Sequence, residues 1–221
     1  NNLAMTDSLD TLVVRLGTNL TDDDYSFTIT GSNSATTRLI KRNDDIDNNI
    51  NFQGGNGVDE LQIAGTDLGS TVIFNGGGGS MDKIIQENGP ITDDGYVGVT
   101  FVEILTADFV GGGFTVDATL GSQAAMSGLV LVQGTDGNDM VLLDGGYNAP
   151  TLTFDVDGGD DTFTGGASST AITFVGQNNE FTAADLLQGG SSVNDLLRLD
   201  IVNVAFGADI FADLTGVTGV E

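Results

Sequence analysis

The chain has 221 residues and a strongly acidic composition, with 6 Lys+Arg against 32 Asp+Glu and a formal net charge of −26. This charge argues against nucleic acid partners and against insertion into anionic membranes, because those surfaces require clustered cations, and it favours cations as ligands. The absence of Cys and His excludes structural zinc sites, blue copper sites, thiol nucleophiles and His-dependent catalytic triads. Hydrophobic residues make up 39% of the chain, which suffices for a folded core.

The first elements in chain order are short β-strands. Residues 8–16 end in a β-branched run and residues 26–30 alternate apolar and polar side chains, so both segments are predicted to be strands. Residues 43–49 then show the Asp/Asn spacing of an EF-hand loop. The glycine and the closing glutamate that such a loop requires are replaced by Ile50 and Asn56. A solvated acidic loop is therefore the better interpretation.

A glycine-rich nonapeptide follows at residues 54–62, Gly-Gly-Asn-Gly-Val-Asp-Glu-Leu-Gln. It matches every specified position of the pattern G-G-x-G-x-D-x-U-x, where U is a large apolar residue. Glycines allow turn conformations that bring peptide carbonyls together, and Asp59 adds a hard anionic oxygen beside them. This combination of oxygen donors suits Ca²⁺.

Four imperfect copies of this motif occur later, at residues 77–85, 134–142, 158–163 and 189–197. Their aspartate positions are occupied by Asp82, Asp139, Asp161 and Asp195. Asp59 and Asp82 are 23 residues apart, and Asp139 and Asp161 are 22 residues apart. Residues one coil apart stack in a parallel β-solenoid, so both pairs are predicted to stack. Stacked carboxylates repel each other unless a cation lies between them. The alternative interpretation is ordinary Gly-Asp turns between strands.

The segments between and after these turns predict further strands and little helix. The predicted strands are residues 61–63, 71–74, 83–86, 100–105, 129–132, 140–143, 151–156, 171–175 and 196–204. Residues 182–187 and 209–214 each start near a capping residue and predict one or two helical turns.

A longer repeat relates residues 98–103, Gly-Val-Thr-Phe-Val-Glu, to residues 216–221, Gly-Val-Thr-Gly-Val-Glu. The repeat predicts two related units, residues 1–115 and 116–221, with two of the glycine turns in the first and three in the second. The first residue is not Met and the last follows a strand-like segment, so we expect the sequence to be part of a longer polypeptide.

On these motifs the chain resembles the RTX (repeats-in-toxin) calcium-binding proteins, and its Gly, Thr, Asp and Val texture is most like that of bacterial surface-layer proteins and large adhesins of the group. The resemblance implies an all-β fold, a parallel β-solenoid or β-roll, type I secretion in an unfolded state, and folding outside the cell in Ca²⁺. Because the nonapeptides are not in uninterrupted tandem, we expect the ions mainly along one side.

In that family the aspartate and the turn carbonyls hold the ion. The ligands carried over by this resemblance are Gly54, Gly55, Asn56, Gly57, Asp59, Gly77, Gly79, Asp82, Gly134, Asp136, Gly137, Asp139, Gly158, Asp160, Asp161 and Asp195.

Three classes of function remain open on the sequence. The first, which we favour, is a secreted, non-enzymatic structural module that assembles with copies of itself or with adjoining domains of its polypeptide into a surface layer, matrix fibre or adhesin stalk. The second is a calcium-stabilised β-helical lyase, epimerase or two-carboxylate hydrolase acting on polysaccharide, for which six cations and no His leave few candidate residues. The third is a surface that binds cell-surface polysaccharide or ice, which the three scattered tyrosines and the absence of Trp support weakly.

Overall fold

The computed structural model describes residues 2–4, 11–16, 26–41, 49–107, 115–177, 180–200 and 217–218. The strands in these ranges pair in parallel throughout, and each strand pairs with those one coil before and one coil after it. Partners along the longest sheet are 20 to 27 residues apart, from Thr153 with Thr173 to Ile104 with Leu131. The fold is therefore the all-β parallel β-solenoid that the sequence predicts.

Three sheets, here named A, B and C, form the walls of the solenoid. Sheet A contains β1 (Asn2–Ala4), β3 (Ser26–Thr30), β5 (Asn49–Gln53), β7 (Val72–Asn75) and β9 (Val99–Thr100). Sheet B contains β2 (Thr11–Leu16), β4 (Thr36–Lys41), β6 (Asp59–Ile63), β8 (Lys83–Gln86), β10 (Ile104–Ala107), β12 (Leu131–Gln133), β14 (Thr151–Asp155), β16 (Ala171–Gln177) and β18 (Leu196–Asp200). Sheet C contains β11 (Asp117–Leu120), β13 (Met140–Leu143), β15 (Thr162–Thr164), β17 (Leu186–Gln188) and β19 (Val217–Thr218).

The core lies between sheet B and the two shorter sheets. Strand side chains alternate between the two faces of a sheet, and the inward ones stack on their equivalents one coil away. In sheet A the rings of Phe52 and Phe74 stack with centroids 4.9 Å apart. Farther along, Phe163 of sheet C contacts both Phe154 and Phe174 of sheet B, at 5.3 and 5.1 Å. These aromatic side chains join the facing sheets.

The wall opposite sheet B changes from sheet A to sheet C midway along the solenoid. In the first half short turns lead from sheet A into sheet B, as at residues 54–58, whereas in the second half short turns lead from sheet B into sheet C, as at residues 134–139. An isolated bridge between Ile91 and Ala118 marks the place where sheet C begins. We call the border of sheet B where its strands begin the start edge and the border where they end the end edge. Each of these borders crosses all the strands of the sheet and is not an edge strand. The glycine turns consequently lie on different edges in the two halves.

Most predicted strands match observed ones, but some elements differ. The sequence analysis does not predict several described strands, among them β4, β5, β11 and β15, although Asn49–Gln53 alternates polar and apolar residues in the way that indicates a strand. The predicted strand 100–105 is divided between β9 and β10 by Phe101, the one non-glycine residue with a positive φ (54°) in the described ranges. Other predicted segments have observed counterparts, and those at 26–30, 83–86 and 140–143 match β3, β8 and β13 at both ends.

Helix is scarce in the described part of the chain, which contains α1 (Ser122–Ser127) and short 3-10 helices at Gly65–Asp67 and Asp93–Gly98. None of these is long enough to cross a membrane. The helical turn predicted at residues 182–187 is wrong, because a hydrogen-bonded turn there leads directly into β17. The second predicted helical turn, at 209–214, and nearly all of the acidic loop at 43–49 lie outside the described residues.

The long sequence repeat has a structural counterpart. Val99–Thr100 forms the last strand of sheet A, and Val217–Thr218 forms the last strand of sheet C. Sheet B extends through both halves without interruption in its strand order. The division into two units at residue 115 remains a prediction.

Candidate functional site

A first row of acidic side chains lies on the start edge of sheet B. Asp59 and Asp82 are fully buried one coil apart, and the backbone N–H of Asp59 donates to Oδ1 of Asp82 at 2.7 Å. The N–H of Asp82 donates in turn to Oε2 of Glu103 at 3.0 Å. Within its own turn, Asp59 accepts the N–H of Gly55 through Oδ2 at 2.8 Å. The predicted stacking of Asp59 on Asp82 is confirmed.

A second row lies on the end edge and repeats the same hydrogen-bond pattern. The N–H of Val116 donates to Oδ1 of Asp139 (2.6 Å), that of Asp139 to Oδ1 of Asp161 (2.9 Å), and that of Asp161 to Oδ1 of Asp185 (2.9 Å). Asp139 also closes its own turn, because its Oδ2 accepts the N–H of Thr135 at 2.7 Å. The predicted stacking of Asp139 on Asp161 is also confirmed. Each carboxylate therefore links its own coil to the preceding one.

The predicted aspartates thus form two rows, and the expectation of a single side is wrong for them. Asp195 lies on the start edge, where its Oδ1 accepts the N–H of Ile172 at 2.8 Å, rather than beyond Asp161. The next carboxylate after Asp161 is Asp185, which the sequence analysis misses. A usable signal exists, because Asp185 begins an Asp-x-apolar step 24 residues after Asp161. Glu103 is also missed as a member of the first row.

The remaining predicted site residues lie in the turns themselves. Gly78 donates its N–H to the carbonyl of Gly55 at 2.7 Å, so consecutive turns are hydrogen-bonded to each other. A Cβ added at Gly54 would lie 2.2 Å from the carbonyl oxygen of Gly76. Glycine is therefore required at Gly54 by the distance between coils, whether or not an ion is bound. Three polar side chains at the turn tips are exposed and do not join the rows: Asn56, Asp136 and Asp160.

Four of the buried carboxylates have one oxygen without a hydrogen-bond partner. They are Oδ1 of Asp59 and Oδ2 of Asp82, Asp161 and Asp195. Burying a carboxylate oxygen without a partner is costly, so a proton or a cation is expected to satisfy it. These oxygens are the structural feature that bears most directly on metal binding.

The donors around the unpartnered oxygens fit Ca²⁺. Calcium takes six to eight oxygen ligands from carboxylates and backbone carbonyls. Oδ2 of Asp82 faces its own glycine turn, where a Cβ added at Gly76 would lie 2.7 Å from it. Among the described residues, no three acidic side chains are close enough to share one ion.

The same burial changes the protonation of the two rows. It raises the pKa of Asp82 to about 7 and that of Asp161 to about 8, and nearby row carboxylates raise both further. It also raises the pKa of Asp59 and of Asp139 to about 6, against the opposing effect of backbone N–H donors. Without a bound cation, these carboxyls hold protons well above the usual pH range of aspartate.

We expect the calcium-free protein to become less stable as the pH rises from about 4 to about 8. A carboxyl whose pKa is raised by folding, from 3.8 to about 8 for Asp161, binds its proton more tightly in the folded chain. Its contribution to stability is complete below pH 3.8 and is lost as the pH rises through the folded-state pKa. Urea unfolding followed by far-UV circular dichroism at a series of pH values measures this.

Asp161→Asn, which cannot titrate, should flatten the upper part of that profile. Asp160→Asn changes the same charge at an exposed neighbouring position and should leave the profile unchanged. Stability that increases over this pH range in calcium-free buffer would contradict the assignment of buried, protonated carboxyls.

A separate groove of about 430 Å³ lies against β14, β16 and β18 of sheet B. Asp155, Asp157, Glu180 and Asp200 line it together with Arg198. The guanidinium of Arg198 donates to both carboxylate oxygens of Asp200 at 3.1 Å. Burial raises the pKa of Asp155, and the negative charges of the neighbouring acids add to this effect. The groove is thus a second acidic feature, and it adjoins the second row, because the charge of Asp157 contributes to the raised pKa of both Asp139 and Asp161.

Comparison with known proteins finds no matching family model and no similar curated protein or solved structure.

Proposed function

We propose that the chain is a secreted calcium-binding structural module. The observation that carries the proposal is the set of buried carboxylate oxygens without partners in Asp59, Asp82, Asp161 and Asp195, of which the last three carboxylates also accept a backbone N–H from the preceding coil. A chain of net charge −26 repels itself when compact, and cations bound only by the compact state relieve this repulsion. Calcium at the stacked turns would therefore stabilise the solenoid.

The candidate ion positions follow from the two rows. Asp59 and Asp82, with the carbonyls of their two turns, would hold Ca²⁺ on the start edge of the first half. Asp139 and Asp161 would do the same on the end edge of the second half. When bound, Ca²⁺ supplies positive charge between paired carboxylates. N–H groups of the preceding coil orient Asp82, Asp139 and Asp161, and the N–H of Gly55 in its own turn orients Asp59.

The proposed role is assembly into a surface layer, an extracellular matrix fibre or an adhesin stalk. Stacked coils that contact only their neighbours make an extended body whose length grows with the number of coils, which suits a structural element. Calcium-dependent folding also suits type I secretion, since the chain would remain unfolded until it meets extracellular Ca²⁺. The proposed partners are copies of the chain or adjoining domains of its polypeptide.

We expect chelator to keep the protein expanded at neutral pH and millimolar Ca²⁺ to fold it. Far-UV circular dichroism across a calcium titration measures this, and a β spectrum unaffected by chelator would contradict the proposal. Asp82→Asn should move the calcium midpoint to higher concentration, because it removes anionic charge beside the proposed ion. Asp94→Asn, at an exposed position outside the glycine turns, is the control and should leave the midpoint unchanged.

One observation favours the second candidate, a polysaccharide-active enzyme. The groove beside Asp155 and Glu180 brings several carboxylates to one cavity, as hydrolysis by two carboxylates requires. Electron microscopy with and without Ca²⁺ separates the candidates: ordered sheets or filaments support the structural module. Dispersed particles that release reducing ends from a polysaccharide, and lose this activity in Asp155→Asn, would support the enzyme.

A further inference from the structure

The outer face of sheet C carries no charge on its three central strands. Side chains there alternate with the buried Val141, Phe163 and Leu187 and so point away from the core. We call this surface the uncharged face. It consists of Met140, Leu142, Thr162, Thr164, Leu186 and Gln188.

Three large apolar side chains on this face are about half exposed: Met140 at 52%, Leu142 at 42% and Leu186 at 51%. The strand register places Met140 beside Thr162 and Thr162 beside Leu186. The methionine and the leucine thus flank one threonine in a line along the solenoid axis. Apolar side chains exposed together on one face of a sheet indicate an interaction surface.

The distribution of charge indicates what this surface meets. On the outer face of sheet B, Glu60 lies between Arg38 and Lys83, with N–O distances of 3.6 and 3.3 Å. On the outer face of sheet C, by contrast, Asp117 is the one charged residue in the described strands, and it lies on β11 at the edge of the sheet. The described strands of sheet A carry no charged residue either, but their outer face exposes one large apolar side chain, Ile73 at 46%. The uncharged face is the one that combines few charges with several exposed apolar side chains, and two copies of a chain with a net charge of −26 repel each other least at a face with few charges.

We propose that the uncharged face packs against the same face of a second copy of the chain. Two such faces meeting about a two-fold axis make an isologous contact, with the sheets about 10 Å apart and Met140, Leu142 and Leu186 interdigitating. The inference rests on the assembly role proposed above, but it does not depend on the calcium site. It specifies which surface the assembly uses.

The size of the face sets the strength of the contact. Three strands about 4.8 Å apart, each presenting two outward residues, bury well below the roughly 800 Å² per partner of a standard stable interface. One contact is therefore weak and reversible. Several modules joined in one polymer would strengthen it by raising the effective concentration. Because the contact brings two polyanions together, added salt should strengthen it.

Sedimentation equilibrium of the full chain tests the inference, in whichever buffer circular dichroism shows a folded chain. The wild type should increase in apparent mass toward a dimer as its concentration rises, and the increase should be larger at high salt. Leu142→Glu and Leu186→Glu should remain monomeric, since each places two like charges in the contact. Leu196→Glu is the control, because Leu196 is similarly exposed, at 48%, on the outer face of sheet B, and it should associate like the wild type.

A folded wild type that stays monomeric at all concentrations and salt levels would overturn the inference, as would Leu142→Glu associating like the wild type. If the glutamate variants fail to fold, single thiols provide a second measurement, because the chain has no Cys. Thr164→Cys, in the middle of the uncharged face, should form an intermolecular disulfide on mild oxidation much faster than Leu196→Cys. Equal rates would overturn the inference. Loss of calcium dependence alone would contradict the calcium site and leave this result unaffected.

Discussion

Asp139→Ala is expected to lower the free energy of unfolding by about 3 kcal/mol, because it removes the carboxylate acceptor of two buried backbone N–H groups, and the loss of such an acceptor costs about 1–3 kcal/mol. Those N–H groups belong to Val116, one coil away, and to Thr135 in the same turn, at 2.6 and 2.7 Å from the carboxylate. The loss is partly offset, since removing Asp139 also removes the cost of burying its carboxyl group. Urea unfolding followed by circular dichroism measures the change.

Asp94→Ala is the control for this prediction. Asp94 carries the same charge, is exposed and lies outside the predicted calcium ligands, so its removal should change stability by less than about 0.5 kcal/mol. Measuring both variants with Ca²⁺ at neutral pH and without Ca²⁺ at about pH 5, where the raised pKa values of the row carboxyls favour the calcium-free fold, separates the two roles of Asp139. A loss that appears in both buffers supports the hydrogen-bond role, whereas a loss seen in calcium alone would contradict it and leave metal binding as the main role.

Gly54→Ala is expected to destabilise the fold by about 3 kcal/mol or more, because over-packing at a rigid contact forces the backbone to shift. The new methyl group would lie 2.2 Å from the carbonyl oxygen of Gly76 in the next coil and 2.5 Å from Oδ2 of Asp59. The first of these atoms is backbone that already takes part in coil stacking. Thermal or urea unfolding at fixed Ca²⁺ measures the loss.

Gly69→Ala serves as the control for Gly54→Ala. A Cβ at Gly69 has no heavy atom within 4 Å, and its φ lies outside the left-handed region. This substitution should be neutral or stabilise by up to about 1 kcal/mol, because alanine restricts the unfolded chain. Equal stability of the two variants would show that the coils do not approach each other as closely as described here.

The class of fold and the stacked pairs could be predicted from the sequence. The glycine turn at residues 54–57 occurs where successive coils approach too closely for side chains. The motif therefore indicates close contact between coils as well as the proposed metal site. The spacings from Asp59 to Asp82 and from Asp139 to Asp161 equal one coil each, and both pairs hydrogen-bond across it. Local motifs succeeded here because one coil is the repeating unit of both sequence and structure.

The placement of the rows could not be predicted in this way. A glycine turn leading into sheet B and one leading out of it have the same sequence signature, since both require a tight bend followed by a strand. Which edge a turn occupies depends on the change from sheet A to sheet C near Ile91 and Ala118. Asp185 was overlooked for a related reason, because its turn lacks glycines and resembles the start of a helix until β17 is seen beside β15.

The sequence by itself thus determined that this chain forms a β-solenoid and which aspartates lie one coil apart, because glycine turns and coil-length spacings are local properties. The tertiary structure alone decided that the carboxylates form two rows on opposite edges of sheet B, and that four of them bury an oxygen without a partner. It also decided which surface is free of charge. These features arise from contacts between coils and between sheets, since burial and the side of a sheet are set by residues that are distant in the chain.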